Sequence, residues 1–181
     1  MNWSRIAKRI RVPLGFVLAI VYFWLAWPTW TSIAIGAVVA IAGVIVRASA
    51  SGHVKKNQEL TTTGLYAHTR NPLYLGSIVI AAGFAIASQS WWIVTILLAM
   101  FVAIYVPVIR GEEAFLRQTF PQQFEEYCKQ VPRLLPRLSR GNAGYGTFSR
   151  ELYRKHREYN AAIGTAAMLT ALIIKLLWFH H

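Results

Sequence analysis

Charged and apolar residues are segregated along the chain, and this pattern predicts membrane helices. Residues 12–46 contain no Asp, Glu, Lys or Arg, and neither do residues 71–109. As single helices they would run to roughly 52 and 58 Å, well beyond a bilayer core of about 30 Å. Each stretch must therefore fold back on itself. The breaks are visible at Trp27-Pro28-Thr29 and at Ser88-Gln89-Ser90.

A further apolar run, from Ala161 to Phe179, is interrupted only by Lys175. The pattern therefore predicts an all-α fold, a polytopic membrane helix bundle forming one domain over residues 1–181. The first apolar run lacks a small-x-small cleavage site and continues into the next, so we interpret it as a helix and not as a signal peptide. The five predicted spans cover about residues 12–27, 30–46, 72–88, 91–109 and 161–179.

The basic residues indicate an orientation. The net charge is +12, and eighteen of the nineteen Lys and Arg residues fall in the N-terminal segment, in residues 47–70 and in residues 110–160. Since Lys and Arg are enriched on the cytoplasmic side, we predict an integral protein of the inner or cell membrane. Its N-terminus and active site would be cytoplasmic and its C-terminus outside. Topology and anionic lipid headgroups account for the charge, so no nucleic-acid partner is expected.

Polar side chains gather where the third predicted span begins, in the stretch YAHTRNPLYLG of residues 66–76. Asn71 is a favoured helix N-cap and Pro72 suits the first helical position, so this pair is expected to start the helix. That role does not explain why Tyr66, His68, Arg70 and Tyr74 crowd the same few ångströms, although each alone is an ordinary interfacial residue.

The fourth predicted span returns to the same face of the membrane and is followed by Glu112 and Glu113, two of only seven acidic residues. In the simplest interpretation Glu113 pairs with Arg117 on an exposed helix face, and Glu112 points about 100° away toward the bundle. Pro107 is expected to kink the helix and open space at this end. The resulting pocket would suit a cationic cosubstrate that acts on a lipid-borne partner.

Other chemistries fit the sequence less well. The five histidines show no metal-binding spacing, and the chain has no aspartate for a catalytic triad. Cys128 is the only cysteine, so no intrachain disulfide forms. We therefore expect no metal site. Transport is not indicated, since Lys175 is the one ionisable residue inside a predicted span and its long side chain can snorkel.

The spaced motifs ELTTTGLYAHTRNPLYLGS and EEAFLRQTFPQQFEEYCKQVPRLLP resemble the isoprenylcysteine carboxyl methyltransferase and phospholipid methyltransferase superfamily over about residues 47–136. Those proteins are integral membrane enzymes that use S-adenosylmethionine. The resemblance implies the same cofactor, a lipidic or lipid-modified substrate, contact with membrane lipids and no obligate protein partner. It assigns no catalytic residue. The implied cofactor-binding residues are Gln58, Glu59, Leu60, Thr61, Tyr66, Asn71, Pro72, Leu73, Tyr74 and Glu112.

The chain departs from the family pattern at two positions. Asn71 stands where the motif has a histidine, which allows hydrogen bonding but no proton transfer. Val108 stands where the prenylcysteine enzymes have a substrate-binding arginine, which argues against a prenylcysteine ester as substrate. Two alternatives remain open: an NADPH-dependent membrane reductase of the sterol-reductase type, using Lys55 and Lys56 for the extra phosphate, and a non-catalytic membrane scaffold.

Overall fold

The computed structural model describes residues 3–54, 59–138 and 147–179, and these residues form helices and connecting loops without a strand. A 3-10 turn, Gly64–Ala67, precedes α3, and a π-helical turn, Phe101–Tyr105, joins α4 to α5. The glycine-rich stretch RGNAGYG, residues 140–146, lies outside the described residues. In chain order the helices are α1 (Trp3–Leu25), α2 (Trp30–Ser51), α3 (Pro72–Ser88), α4 (Trp91–Met100), α5 (Val106–Thr119), α6 (Pro121–Gln130), α7 (Arg150–Lys155) and α8 (Tyr159–Phe179).

The prediction of an all-helical membrane bundle is confirmed. Three helices are long and apolar enough to cross a membrane, namely Trp30–Ser51, the continuous α4–α5 rod Trp91–Thr119, and Tyr159–Trp178. Two shorter apolar helices, Pro13–Leu25 and Pro72–Ser88, correspond to the other two predicted spans. The breaks between α1 and α2 and between α3 and α4 therefore lie where the sequence pattern predicts them. The main difference is that α5 runs ten residues past Ile109 instead of ending there.

Helices α2 and α3 pack antiparallel with their backbones in close contact, and glycines make this approach feasible. A Cβ atom added at Gly43 would lie 2.7 Å from the Gly76 carbonyl oxygen and 2.6 Å from the Ile80 nitrogen. At the other end, a Cβ on Gly83 would lie 2.5 Å from the Gly36 carbonyl oxygen. Small residues at such crossings let helix backbones approach in a lipid environment, where the hydrophobic effect does not drive helix association.

One end of the bundle, which we call the tryptophan end, contains the α1–α2 and α3–α4 connections and the end of α8. The Trp27 amide donates to the Ser88 carbonyl at 2.8 Å, and Lys175 Nζ donates to the Ala26 carbonyl at 2.7 Å. Lys175 thus satisfies carbonyls near the end of α1. Six exposed tryptophans form a belt typical of a membrane interface: Trp24, Trp27, Trp30, Trp91, Trp92 and Trp178.

The opposite end, which we call the basic end, contains the end of α2, the start of α3, and α5 to α7. A buried apolar cluster near the tryptophan end joins α1, α2, α3, α4 and α8, and it includes Tyr22, Ile33, Ile93, Leu172 and Leu176. At the basic end a smaller cluster, formed by Phe124, Tyr127 and Val131, lies beneath the loop that precedes α3. The two ends are therefore held by separate cores.

Pro107 lies directly after the π-helical turn. In this turn the Val106 amide donates to the Phe101 carbonyl, five residues back. Pro has no amide proton and its ring crowds the preceding turn, so a regular α-helix is disturbed at this point. A π turn inserts one residue and is a common feature of helices near functional sites. The disturbance expected from Pro107 thus takes the form of a π turn inside a continuous helical rod.

The close α2–α3 contact predicts a sharp difference between two glycine substitutions. Gly43→Ala places a methyl group against backbone atoms and should lower the free energy of unfolding by about 1–3 kcal/mol, as overpacking does. Gly164→Ala in α8 is the matched control, because a Cβ there meets no atom within 4 Å. Thermal unfolding of both variants in detergent measures the difference. Equal melting temperatures would show that α2 and α3 do not pack as described.

Candidate active site

Residues 59–71, which we call the motif loop, lie alongside residues 131–137, which we call the VPRLLPR segment. The Arg70 amide donates to the Pro132 carbonyl at 2.9 Å, and the Arg137 amide donates to the His68 carbonyl at 2.9 Å. The Tyr127 hydroxyl, from α6, donates to the Tyr66 carbonyl at 2.6 Å. The motif loop is thus held by residues more than sixty positions away in sequence, and α3 starts from a fixed base.

Glu113 is the buried centre of this region. Its carboxylate accepts from Arg133 Nε at 2.8 Å and lies 2.7 Å from Arg133 Nη2. It also accepts from Asn71 Nδ2 at 3.2 Å, and Arg70 lies 3.5 Å away. A buried carboxylate is stable only when it is paired and hydrogen-bonded. Glu113 meets this condition by joining α5, the motif loop and the VPRLLPR segment.

The expected pairing of Glu113 with Arg117 is therefore wrong. Arg117 instead pairs with Glu125 of α6 at 2.5 Å, and both of these side chains are about half exposed. Glu113 lies one turn after buried Ile109 and shares its inward face. Helix periodicity alone left the rotation of α5 open, and the distant Arg133 decides it. Glu112 is half-buried rather than buried.

Asn71 occupies the N-cap position of α3 and Pro72 the first helical position, as predicted. The Asn71 side chain, however, makes no capping hydrogen bond. Its amide nitrogen donates to Glu113 and, at 3.0 Å, to the Arg133 carbonyl. The Asn71 side chain therefore does not cap α3 and belongs instead to the Glu113 network. Any cofactor contact by Asn71 must therefore use groups other than this amide nitrogen.

Tyr66 lies close to several negatively charged or ionisable groups. Burial raises the pKa of its hydroxyl far above the usual value, and Tyr127, Glu112 and Glu158 raise it further. Tyr66 therefore stays neutral as a hydrogen-bonding and aromatic group at any physiological pH.

Tyr74 lies in the first turn of α3, shortly after the motif loop. Its buried ring meets the ring of Tyr105 edge to face, with centroids 5.9 Å apart. Tyr74 also packs with Ile104, Val108 and Ile109. Tyr105 belongs to the π turn and lines the large cavity described below. The π turn thus places the Tyr105 ring between Tyr74 and the large cavity.

The remaining predicted residues have varied positions. Leu60 packs against the cluster around Phe124, and the Leu73 carbonyl accepts from Arg47 at 3.3 Å. Pro72 is fully buried, Glu59 is exposed and Thr61 is half-buried. Gln58 lies outside the described residues. Binding of a cofactor by this set stays a prediction.

An apolar cavity of about 800 Å³ lies between α1, α3, α4 and α8. Its walls are formed mainly by aliphatic and aromatic side chains, and polar groups gather at its basic end. Among the described residues that line it, Arg47 is the only charged one. None of the predicted cofactor-binding residues that the structure describes lines it. The polar residues of the lining toward the basic end are Arg47, Ser77, Tyr105 and Asn160.

A gap between α1 and α8 leads toward the same polar groups. The two helices meet near the tryptophan end through the cluster around Tyr22 and Leu172. Toward the basic end they diverge, and a smaller cavity of about 520 Å³ is lined there by residues of both helices together with Arg47 and Tyr105. Gly15 and Gly164 face this space, with no atom within 4 Å of an added Cβ.

Comparison with known proteins identifies the type of protein to which this arrangement belongs. The PEMT phospholipid methyltransferase family matches residues 10–123, more than half of the chain. The chain belongs to the phospholipid methyltransferase family. Membership supports methyl transfer at a membrane as the general activity, and it confirms the superfamily resemblance seen in the motifs. No solved structure matches the chain significantly.

Two curated relatives are named for metal resistance. The nickel-cobalt-cadmium resistance protein NccN of Alcaligenes xylosoxydans xylosoxydans is 36% identical over 104 residues, which are 54% of this chain and 48% of that protein. The cobalt-zinc-cadmium resistance protein CzcN of Cupriavidus metallidurans is 36% identical over 85 residues, which are 47% of this chain and 39% of that protein. The chain thus matches half or less of the length of these relatives.

Several residues of this region were not singled out by the reasoning from sequence. Arg133 and Tyr127 stand in the motif that carries the family resemblance, but nothing in their spacing indicated contact with Glu113 and Tyr66. Arg47 directly follows the second predicted span and enters the sequence analysis only as one of the basic loop residues, and Glu158, which precedes the last span, carries no prediction. Their contact across 111 positions follows from the tertiary arrangement.

The Glu113 network predicts that two neighbouring glutamates differ in their effect on stability. Glu113→Gln removes the charge that two arginines share and should lower the free energy of unfolding by about 1.5–3 kcal/mol, the contribution of a charge-assisted hydrogen bond. Glu112→Gln, at a half-buried position, should cost less than about 1 kcal/mol. Unfolding in detergent measures both, and a larger loss for Glu112 would contradict the assigned rotation of α5.

Proposed function

We propose that the chain transfers a methyl group from S-adenosylmethionine to a lipidic or lipid-attached acceptor. The observation that carries the proposal is the apolar cavity of about 800 Å³, which a gap between α1 and α8 makes accessible from the side of the bundle. Ligand cavities of 300–1,000 Å³ are typical of specific small-molecule sites. The rings of Tyr74 and Tyr105 meet in one aromatic layer, in which Tyr105 lines this cavity and Tyr74 stands in the first turn of α3, shortly after the motif loop.

The cofactor is proposed to bind on the motif-loop side of that layer. S-adenosylmethionine supplies a methyl group activated by attachment to a positively charged sulfur. Glu112 can pair with the ammonium group of its methionine part, and neutral Tyr66 can offer a ring face to the sulfonium. Asn71 carries no titratable proton, so the chain contributes mainly by aligning donor and acceptor, which lowers the barrier through proximity.

The orientation completes the proposal. Eighteen of the nineteen basic residues fall in the N-terminal segment, in residues 47–70 and in residues 110–160, and exposed tryptophans mark the end of the bundle opposite to the described parts of these segments. We propose that the basic end faces the cytoplasm in the inner or cell membrane. The cofactor would then arrive from the cytoplasm, while an apolar acceptor would reach the cavity through the lipid-facing gap without crossing water.

The names of the two relatives suggest a setting in metal resistance. Within the described residues, no group of three or more His, Cys, Asp or Glu side chains is arranged to hold a metal ion. We propose that this chain contributes to such resistance by methylating a component of the membrane. This role in metal resistance requires only the methyl-transfer activity of the family.

The cofactor experiment separates the proposal from its two alternatives. S-adenosylhomocysteine should raise the melting temperature of the protein in detergent, whereas NADPH should not. A shift with NADPH alone would favour the membrane reductase, and no shift with either would favour a scaffold. Transfer of labelled methyl groups from S-adenosylmethionine to extracted membrane lipids would then identify the acceptor class.

Glu112→Gln should weaken S-adenosylhomocysteine binding ten- to a hundredfold, because a charge-assisted hydrogen bond contributes about 1.5–3 kcal/mol. The matched control is Glu126→Gln, which removes the same charge from an exposed position on α6. Calorimetric titration measures both affinities. Equal losses would show that bulk charge, and not a specific contact, determines the effect.

Gly164→Leu should block access of the acceptor while leaving the cofactor site intact. The added side chain enters open space beside the gap, so the fold should tolerate it. The expected result is at least a tenfold lower rate of methyl transfer with unchanged affinity for S-adenosylhomocysteine. An unchanged rate with long-chain acceptors would show that the acceptor does not pass between α1 and α8.

A further inference from the structure

We propose that Arg47 is the specificity-determining residue of the acceptor site and binds an acidic headgroup at the basic end of the cavity. Glu158 would occupy Arg47 in the absence of acceptor. The occupant would be an amphiphile with an alkyl chain in the cavity and an anionic oxygen group on Arg47. This inference rests on the proposed function, because it names the class of acceptor for the same site.

The position of Arg47 is the first observation. Arg47 lines both the large cavity and the smaller one in the gap, and among the described residues that line either of them it is the only charged one. The rest of the lining is largely apolar, so an anion that enters with an alkyl chain meets one cationic partner there. In surroundings of low polarity this attraction is stronger than at an open surface.

The contacts of Arg47 show that its guanidinium is already arranged for an anion. Arg47 Nε donates to Glu158 at 3.0 Å, and Arg47 Nη2 donates to the two carboxylate oxygens at 2.9 and 2.8 Å. The other terminal nitrogen donates to Ser77 Oγ at 2.5 Å and to the Leu73 carbonyl at 3.3 Å. The contacts from α3 fix the plane of the group, and the forked face suits a carboxylate or a phosphate.

Glu158 is placed to exchange with a ligand. Glu158 is not among the described residues that line either cavity, and its side chain is 11% exposed. Arg157, directly before it, has a positive φ of 53°, which turns the chain between α7 and α8. A displaced Glu158 would have several cations nearby in sequence, since α7 carries Arg150, Arg154 and Lys155. Exchange of one anion for another keeps Arg47 paired throughout.

A different interpretation is that the ion pair only fastens α8 to α2. Three variants separate the two interpretations. Arg47→Gln removes the cation, Glu158→Gln removes the internal anion, and the double exchange Arg47→Glu/Glu158→Arg restores an ion pair but places an anion in the cavity lining. The double variant should therefore keep the stability contributed by the pair and lose the binding of acidic headgroups.

The experiment measures equilibrium binding of radiolabelled single-chain probes to the protein in neutral-detergent micelles. Hexadecyl phosphate and hexadecanoate are the acidic probes, and hexadecanol is the neutral one. The wild-type protein should bind at least one acidic probe tenfold or more tightly than hexadecanol, and the preferred acid identifies phosphate or carboxylate as the headgroup. Arg47→Gln and the double exchange should abolish this preference, whereas Glu158→Gln should raise affinity for the acid severalfold.

Two results would overturn the inference. One is equal binding of acidic and neutral probes by the wild-type protein, and the other is an unchanged preference for acids in the double exchange with wild-type melting temperature. S-adenosylhomocysteine titration of the same samples tests the proposed function separately. If the wild-type protein fails to bind it, the methyl-transfer proposal fails, while the headgroup measurement still decides the role of Arg47.

Discussion

The buried carboxylate of Glu113 is the constraint on which the polar half of this structure depends. Removing a carboxylate from water is costly, and only several donors at short distance compensate for it. Arg133, Asn71 and Arg70 supply those donors from the VPRLLPR segment and from the end of the motif loop, neither of which lies in a helix there. The network therefore determines where the motif loop lies against α5, and with it the positions of Tyr66 and of the first turn of α3.

The membrane half is shaped by a different condition, which is how closely helix backbones can approach. Gly43 and Gly83 bring α2 and α3 into backbone contact, and this closeness lets Arg47 of α2 reach Ser77 and the Leu73 carbonyl of α3. Helices α1 and α8 lack a comparable contact toward the basic end, where Gly15 and Gly164 face open space. Glycine thus lies at a tight contact between α2 and α3 but faces open space between α1 and α8, because the residues opposite it differ.

The sequence was sufficient for features determined by local composition, and insufficient for those determined by distant partners. The helices follow from the absence of charges over long stretches, and the start of α3 follows from Asn71 and Pro72. The inward rotation of Glu113 does not follow, since helix periodicity allows either glutamate to face inward until Arg133 is placed. The large cavity was not predictable either, because it depends on how α1, α3, α4 and α8 pack, and Ser77 and Leu134 are the motif residues among the described residues that line it. The cofactor site expected from the family resemblance remains a prediction.

The replacement of the family histidine by Asn71 has a physical explanation in the Glu113 network. The Asn71 amide nitrogen has two protons, and it donates to both Glu113 and the Arg133 carbonyl. A neutral imidazole carries a single N–H and makes only one of these bonds, whereas an imidazolium adds a third cation beside Arg70 and Arg133. Asn71 therefore provides both donors without a titratable charge.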